Sequence, residues 1–376
     1  MTFSLNLVCV VALCLLAATA LCLSPANAAA SPHPDSSVGA GGKPCPLPTL
    51  AMATAPGPGS PPPKLALATS VAPADTSTSS VIRPDPKEQI TCGKVGVRTF
   101  SDVVFAEHTL SSGKLLQLHM DVQVPAAKGN RRPLVVYVPG GGFILSAKEG
   151  ALNLRTYVAE AGFVVASIQY RTVSVGANYR DGISDVKSAV RYLRANAERF
   201  GIDPRKVAVW GESAGGYLAA MVGVTNGDPS FEVGADPHQS GAVQAVVDKF
   251  GTSDMTRIAS DFDPQTQANY SNENAIMAYV GADVSTAANP LHYIKSDDPP
   301  FLIFHGSDDR LVSPSQTLLL HNALRAAGVH STRYVLDGAG HGDMSFMGDF
   351  QSGLPWSSRQ TMGIIVDFLQ QTIGSR

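Results

Sequence analysis

Charge is sparse in this 376-residue sequence: only 16% of residues are Asp, Glu, Lys or Arg, and their net balance is −3. A nucleic-acid partner calls for a basic face, which so slight and acidic a balance does not supply. With so few charges, uncharged polar residues must cover much of the outside, as suits an exported protein. Cysteine is scarcer still, at five residues, and three of these (Cys9, Cys14, Cys22) fall within one apolar stretch near the start. The other two, Cys45 and Cys92, have no accompanying His or Cys cluster, so no metal site is expected. In an oxidising compartment they are free to pair, but their spacing does not require it and two separate thiols remain an alternative. There is no internal repeat, which leaves out propellers and solenoids, and no Gly-rich phosphate loop followed by Lys-Ser or Lys-Thr. No cofactor is called for.

The apolar stretch runs from residue 5 to 23 without a charge and is followed by Ala26-Asn27-Ala28. That layout is expected of a secretory signal over residues 1–28 with an A-x-A cleavage site. The absence of Lys or Arg before it, and a length close to the ~20 residues of a membrane span, keep an uncleaved N-terminal anchor as the alternative. Either places the remainder outside the cytosol, secreted or periplasmic, and only the anchor would bring membrane contact. Residues 29–90 are rich in Pro, Ala and Ser, with runs such as Pro56-Gly57-Pro58-Gly59-Ser60-Pro61-Pro62-Pro63. With few large apolar side chains to bury, this segment is expected to be a disordered linker. A single domain is then expected over 91–376.

From there on, apolar runs of strand length alternate with amphipathic helical stretches, which predicts an α/β fold with a mostly parallel sheet and helices on both faces. The runs are Leu134 to Val138, Phe163 to Ile168, Lys206 to Trp210, Ala245 to Val247, and Phe301 to Phe304. Apolar residues in succession suit parallel strands buried on both sides. A helix with Ser184 as N-cap presents Val186, Ala189, Val190, Leu193 and Ala197 on one face and stops at Gly201. Further helices are expected after Ser213, from Ser315 to Ala327, and from Thr361 to Ile373. Residues 254–298 break the rhythm and are the candidate insertion or partial cap.

Val207-Ala208-Val209-Trp210-Gly211-Glu212-Ser213-Ala214-Gly215-Gly216 reads as a strand, a G-x-S-x-G turn, and a helix. So tight a turn lifts Ser213 above the sheet and needs Gly211 and Gly215 to lack bulk. A serine hydroxyl is a weak nucleophile until a base takes its proton. His341, on the glycine-rich loop after the apparent last strand, is the candidate base. The imidazole needs a buried carboxylate. Phe301 to Phe304 leads into His305-Gly306-Ser307-Asp308-Asp309, where Asp309 is favoured over Asp308 and His305 is expected to be a structural hydrogen-bonding residue. Pro139-Gly140-Gly141-Gly142 after the first strong strand, with the Ala214 N–H, supplies candidate donors to an oxyanion.

Taken together, these motifs resemble the esterase and lipase branch of the α/β-hydrolases, the group related to hormone-sensitive lipase and to bacterial feruloyl-esterase-like proteins (BD-FAE type). The resemblance spans about residues 95–374 and includes Tyr170-Arg171, Gly201-Ile202-Asp203-Pro204 and Pro299-Pro300-Phe301. It implies the α/β-hydrolase fold and a Ser213, Asp309, His341 triad, with Asp309 chosen because it stands three residues before Val312. It also implies Gly141 and Gly142 as oxyanion donors. One departure stands out: Pro139 occupies the place of the family's loop-bracing histidine. The implied activity is hydrolysis of small or aromatic acyl esters, free or linked to polysaccharide, through an acyl-enzyme. The alternatives are an exported serine peptidase and an inactive hydrolase-fold binding module.

Overall fold

Leu134, Val136 and Val138 point into one apolar core while Val135 and Tyr137, between them, point into another, so this strand is buried on both faces. The same alternation separates Val207 and Val209 from Ala208 and Trp210. A pleated strand sends successive side chains to opposite sides, so an unbroken apolar run requires covering layers above and below. The computed structural model describes residues 42–46, 67–126, 131–234, 236–270, 274–344, 349 and 351–374. The expected signal segment, 1–28, and residues 29–41 and 47–66 of the expected linker lie outside them.

The strands are β1 (Lys43–Pro44), β2 (Ser80–Ile82), β3 (Thr91–Cys92), β4 (Val97–Thr109), β5 (Leu115–Pro125), β6 (Arg132–Val138), β7 (Val164–Ile168), β8 (Ile202–Glu212), β9 (Ala245–Lys249), β10 (Phe301–Gly306) and β11 (Ser331–Leu336). Among the described residues, nine of them form one sheet in the order β2-β11-β10-β9-β8-β6-β7-β5-β4. From β2 to β7 every neighbouring pair is parallel. The β4–β5 hairpin is attached to β7 by antiparallel pairing.

One face of the sheet is covered by the helices Tyr179–Ala195, Ala214–Val224 and Ser315–Ala326, the other by Leu152–Glu160 and Arg359–Ile373. The helix expected to begin at Ser184 begins earlier, at Tyr179. Its N-cap is Asn178, which accepts from the Arg180 N–H while Asp181 reaches back to the Asn178 N–H. That capping box satisfies two free donors at once and wins over a lone serine. Ser184 instead donates to the Val233 carbonyl from within the helix. A short helix, Ala197–Phe200, intervenes before Gly201 ends the segment at φ +67°.

The linker does not extend to residue 90. Ser80–Ile82 adds the edge strand beside β11, and Thr78 and Ser79 bond His321 and Arg333 inside the domain. Cys45 and Cys92 are joined in a disulfide, which ties β1 to β3. Composition concealed this because the anchoring is mostly by backbone pairing, polar side-chain contacts and one covalent bond, with Ile82 and Ile90 among the few large apolar side chains that take part. Residues 254–298, between β9 and β10, are made of short helices and helical turns, and Tyr279 among them is fully buried and stacks on Phe143 of the loop after β6. No helix among the described residues is long and apolar enough to cross a membrane.

Candidate active site

The loops that follow β6, β8, β10 and β11 meet at the carboxyl ends of these parallel strands. Ser213, at the end of β8, has φ 55° and ψ −122°, a left-handed-side conformation that costs a non-glycine residue about 1–3 kcal/mol. The surroundings enforce it. A Cβ on Gly211 would collide with the Gly215 carbonyl, and one on Gly215 with the Val138 carbonyl. The Ser213 N–H donates to the Lys249 carbonyl at 2.9 Å, which pins the turn to the neighbouring strand. The helix Ala214–Val224 starts directly beneath the hydroxyl.

His341 lies 128 residues away in sequence, yet its Nε2 is 2.8 Å from Ser213 Oγ. Its Nδ1 is 2.7 Å from Asp309 Oδ2. Asp309 is fully buried, and its other oxygen, Oδ1, accepts the Leu311 and Val312 N–H groups at 2.9 Å each. Burial alone would raise this carboxyl. The charge of His341 and hydrogen bonds from His305 and His341 outweigh it, and hold Asp309 well below the ordinary carboxylate range. Asp308 points outward and pairs with Arg310 at 3.2 Å.

Gly140, Gly141 and Gly142 run alongside the serine: a Cβ on Gly140 would stand 3.2 Å from Ser213 Cβ. Gly141 has φ +153° and Gly142 φ +59°, and a Cβ on Gly141 would strike the Leu145 carbonyl. Only glycine fits this turn. Pro139, which stands in the place of the family's bracing histidine, is braced from outside. The Tyr170 hydroxyl donates to its carbonyl at 3.0 Å. Farther along the loop, the Val173 N–H donates to the Phe143 carbonyl, and the Thr172 and Ser174 hydroxyls to the Ile144 carbonyl. Phe143, at φ +62°, stacks on Tyr279 at 4.5 Å between centroids and meets Tyr217 edge-on at 5.6 Å.

Residues 120–324, more than half of the chain, match the BD-FAE family model. The chain belongs to the BD-FAE family. It is similar to the esterase LipQ of Mycobacterium tuberculosis, with 30% identity over 66% of this chain and 58% of that protein. It is also similar to the solved truncated form of a carbohydrate esterase from gut microbiota. That match has 26% identity and a TM-score of 0.58, covering 77% of this chain and 99% of that one. A third match is the thermophilic esterase Est2 of Thermogutta terrifontis, solved with butyrate bound: 25% identity, a TM-score of 0.57, and coverage of 74% of this chain and 94% of that one. The fold is accordingly the α/β-hydrolase fold. The chain spans about half the length of the curated relatives it matches.

Several supports of this BD-FAE-family site lie outside any motif. Phe250, at φ +45°, packs at a tilt of 57° against the His341 ring with centroids 4.7 Å apart and meets Trp356 edge-on at the same separation. The buried Lys249 ammonium is 2.6 Å from Glu212, the residue before the serine, and lies over the rings of Trp210, Phe250 and Trp356. The Lys249-Phe250 pair thus touches the elbow through its backbone and the histidine through its ring. Only the strand-end position of these two residues hinted at it. Among the described residues no three His, Cys, Asp or Glu side chains are grouped to hold a metal ion.

Proposed function

We propose that this chain is a serine carboxylic-ester hydrolase working through an acyl-enzyme. The observation that carries the proposal is the unbroken hydrogen-bonded line from Ser213 Oγ through His341 to Asp309, at 2.8 and 2.7 Å. His341 Nε2 takes the hydroxyl proton as Oγ attacks the acyl carbonyl, and buried Asp309 holds the ring with Nδ1–H facing it and stabilises the imidazolium. The same proton then goes to the leaving alcohol. A water molecule activated by His341 next attacks the acyl-serine and frees the acid. The Gly141, Gly142 and Ala214 N–H groups are the proposed donors to the oxyanion in both tetrahedral states.

The substrates we propose are esters of small or aromatic acids, including esters carried on carbohydrate. The similarity to a carbohydrate esterase and to an esterase solved with butyrate supports that choice. So does a short covering insertion, with Tyr279 packed down on the oxyanion loop, rather than a deep tunnel. Export to an oxidising compartment is proposed from the apolar run at 5–23 and the Cys45–Cys92 disulfide. The test is turnover of acetyl, butyryl, longer acyl and feruloyl esters by the full chain, beside matched amides. Ester turnover that disappears in Ser213→Ala is expected. No turnover across the series, or amide cleavage outrunning ester cleavage, would overturn the proposal.

A further inference from the structure

Asp309 is held by two histidines, and the triad employs only one of them. His305, the penultimate residue of β10, is fully buried, and its Nε2 is 3.1 Å from the same Oδ2 that faces His341. That nitrogen is also 3.0 Å from the Val312 carbonyl. The other ring nitrogen, Nδ1, is 2.9 Å from Thr317 Oγ1 on the helix Ser315–Ala326. Thr317 Oγ1 in turn accepts from Nε of Arg333 on β11 at 2.9 Å. The guanidinium is itself buried and anchored by the Pro314 carbonyl and Ser79 Oγ, each at 2.8 Å.

These contacts favour one protonation pattern. His305 Nε2 faces a carboxylate and a carbonyl, which can only accept, so Nε2 must carry the proton. With Arg333 donating into Thr317, the threonine hydroxyl has two acceptors, Nδ1 at 2.9 Å and the Pro314 carbonyl at 3.4 Å, and donation along the shorter contact leaves Nδ1 without a proton of its own. The ionisable groups facing this imidazole are Asp309 on its own turn and Arg333 across the sheet, with His341 beyond Asp309. Burial, and the Arg333 charge with it, depresses the His305 titration against the pull of Asp309, in keeping with a neutral ring.

We infer that His305 is a positioning residue for the triad: a neutral Nε2–H donor, locked in that tautomer by Thr317 and Arg333, that fixes the Asp309 carboxylate and tempers its basicity toward His341. This rests on the triad assignment above. With four donors on its two oxygens, Asp309 cannot rotate without losing several of them. Without His305 it would keep the backbone donors but concentrate more charge on the oxygen that faces His341. The imidazolium would then be over-stabilised and the carboxylate freer to swing.

The tautomer is tested on the intact wild-type chain by NMR of ¹⁵N-histidine-labelled protein, which does not depend on turnover. A neutral Nε2–H ring for His305 at about pH 7 to 8 is expected, since its titration is depressed from the ordinary value; an Nδ1–H ring, or a charged one in that range, overturns the inference. Kinetics supply the second arm. His305→Leu is expected to lower kcat about tenfold or more, the loss of one bond to a charged group. It is also expected to move the acid limb of the kcat/KM profile upward by about half a pH unit or more. His305→Gln, which keeps an N–H donor, is expected to restore most of both. An unmoved acid limb in His305→Leu, or no rescue by glutamine, overturns it. Inertness of the wild type toward every ester would contradict the proposed activity instead, while the tautomer measurement would still decide the role of His305.

Discussion

The Tyr170 hydroxyl donates to the Pro139 carbonyl at 3.0 Å, so the loop that lacks a bracing histidine is held by a tyrosine from the next strand's end. Both groups are largely or wholly hidden from water, and a buried carbonyl stripped of its donor costs about 1–3 kcal/mol. Tyr170→Phe should therefore loosen Gly140–Gly142 without touching the Ser213–His341 contact. Steady-state kinetics on a short p-nitrophenyl ester should show kcat down by roughly threefold to tenfold, with KM little changed. A wild-type kcat in the variant would mean that the remaining Thr172, Val173 and Ser174 contacts suffice.

Asp248 lies under the helix that follows Ser213, fully buried, with Oδ1 accepting the Gly251 N–H at 2.9 Å and no partner for Oδ2. Burial pushes its carboxyl up to about 7, against the Gly251 bond and the Arg333 charge. The folded state thus binds a proton more tightly than the unfolded chain, whose value is near 3.8. Its contribution to stability is complete below about pH 4 and falls away as pH rises toward 7. Asp248→Asn, which cannot ionise, should gain on the wild type in melting temperature through that window, and the gain should level off above it. A constant difference between the two proteins from pH 4 to 8 would contradict this account.

Residues 67–90 belong to the folded unit. Their removal takes away β2, the partner of β11, along with the Ser79 and Thr78 contacts of Arg333 and His321. Arg333 would be left buried with fewer acceptors, a costly state for a charge. A chain beginning at residue 67 should keep its turnover, whereas one beginning at 91 should melt at lower temperature and lose much of it. Differential scanning calorimetry beside an ester assay would separate the two.

The Cys45–Cys92 bond closes 47 residues of sequence. By chain entropy such a loop contributes at most about 4 kcal/mol. Reduction, or Cys45→Ser with Cys92→Ser, should lower the denaturant midpoint with little change in kcat, because β1 and β3 form a small sheet apart from the one that carries Ser213. Equal denaturation midpoints with and without reductant would show that the tether contributes nothing.

The sheet, Ser213 and His341 were legible because each has a local signature. Unbroken apolar runs announce strands buried on both faces, and G-x-S-x-G between a strand and a helix announces the elbow. Asp309 needed more than local pattern, since Asp308 beside it is chemically identical. What separates them is that Asp309 Oδ1 takes two backbone donors inside the turn while Asp308 meets Arg310 in solvent. Tyr170, which holds Pro139, and Phe250, which packs on His341, act across distances in sequence that no periodicity records. The fold of residues 67–90 was hidden for a different reason: backbone pairing can order a segment that offers little apolar area, and composition registers only the area.

The central claim is that Ser213 is the nucleophile and His341 its base. Intact-mass and peptide analysis after treatment with a fluorophosphonate tests it most directly. One adduct per chain is expected, on the peptide containing Ser213, appearing in step with the loss of ester turnover. No adduct should form in Ser213→Ala, and labelling should be far slower in His341→Ala. An adduct elsewhere, or turnover persisting in Ser213→Ala at the wild-type rate, would contradict the account.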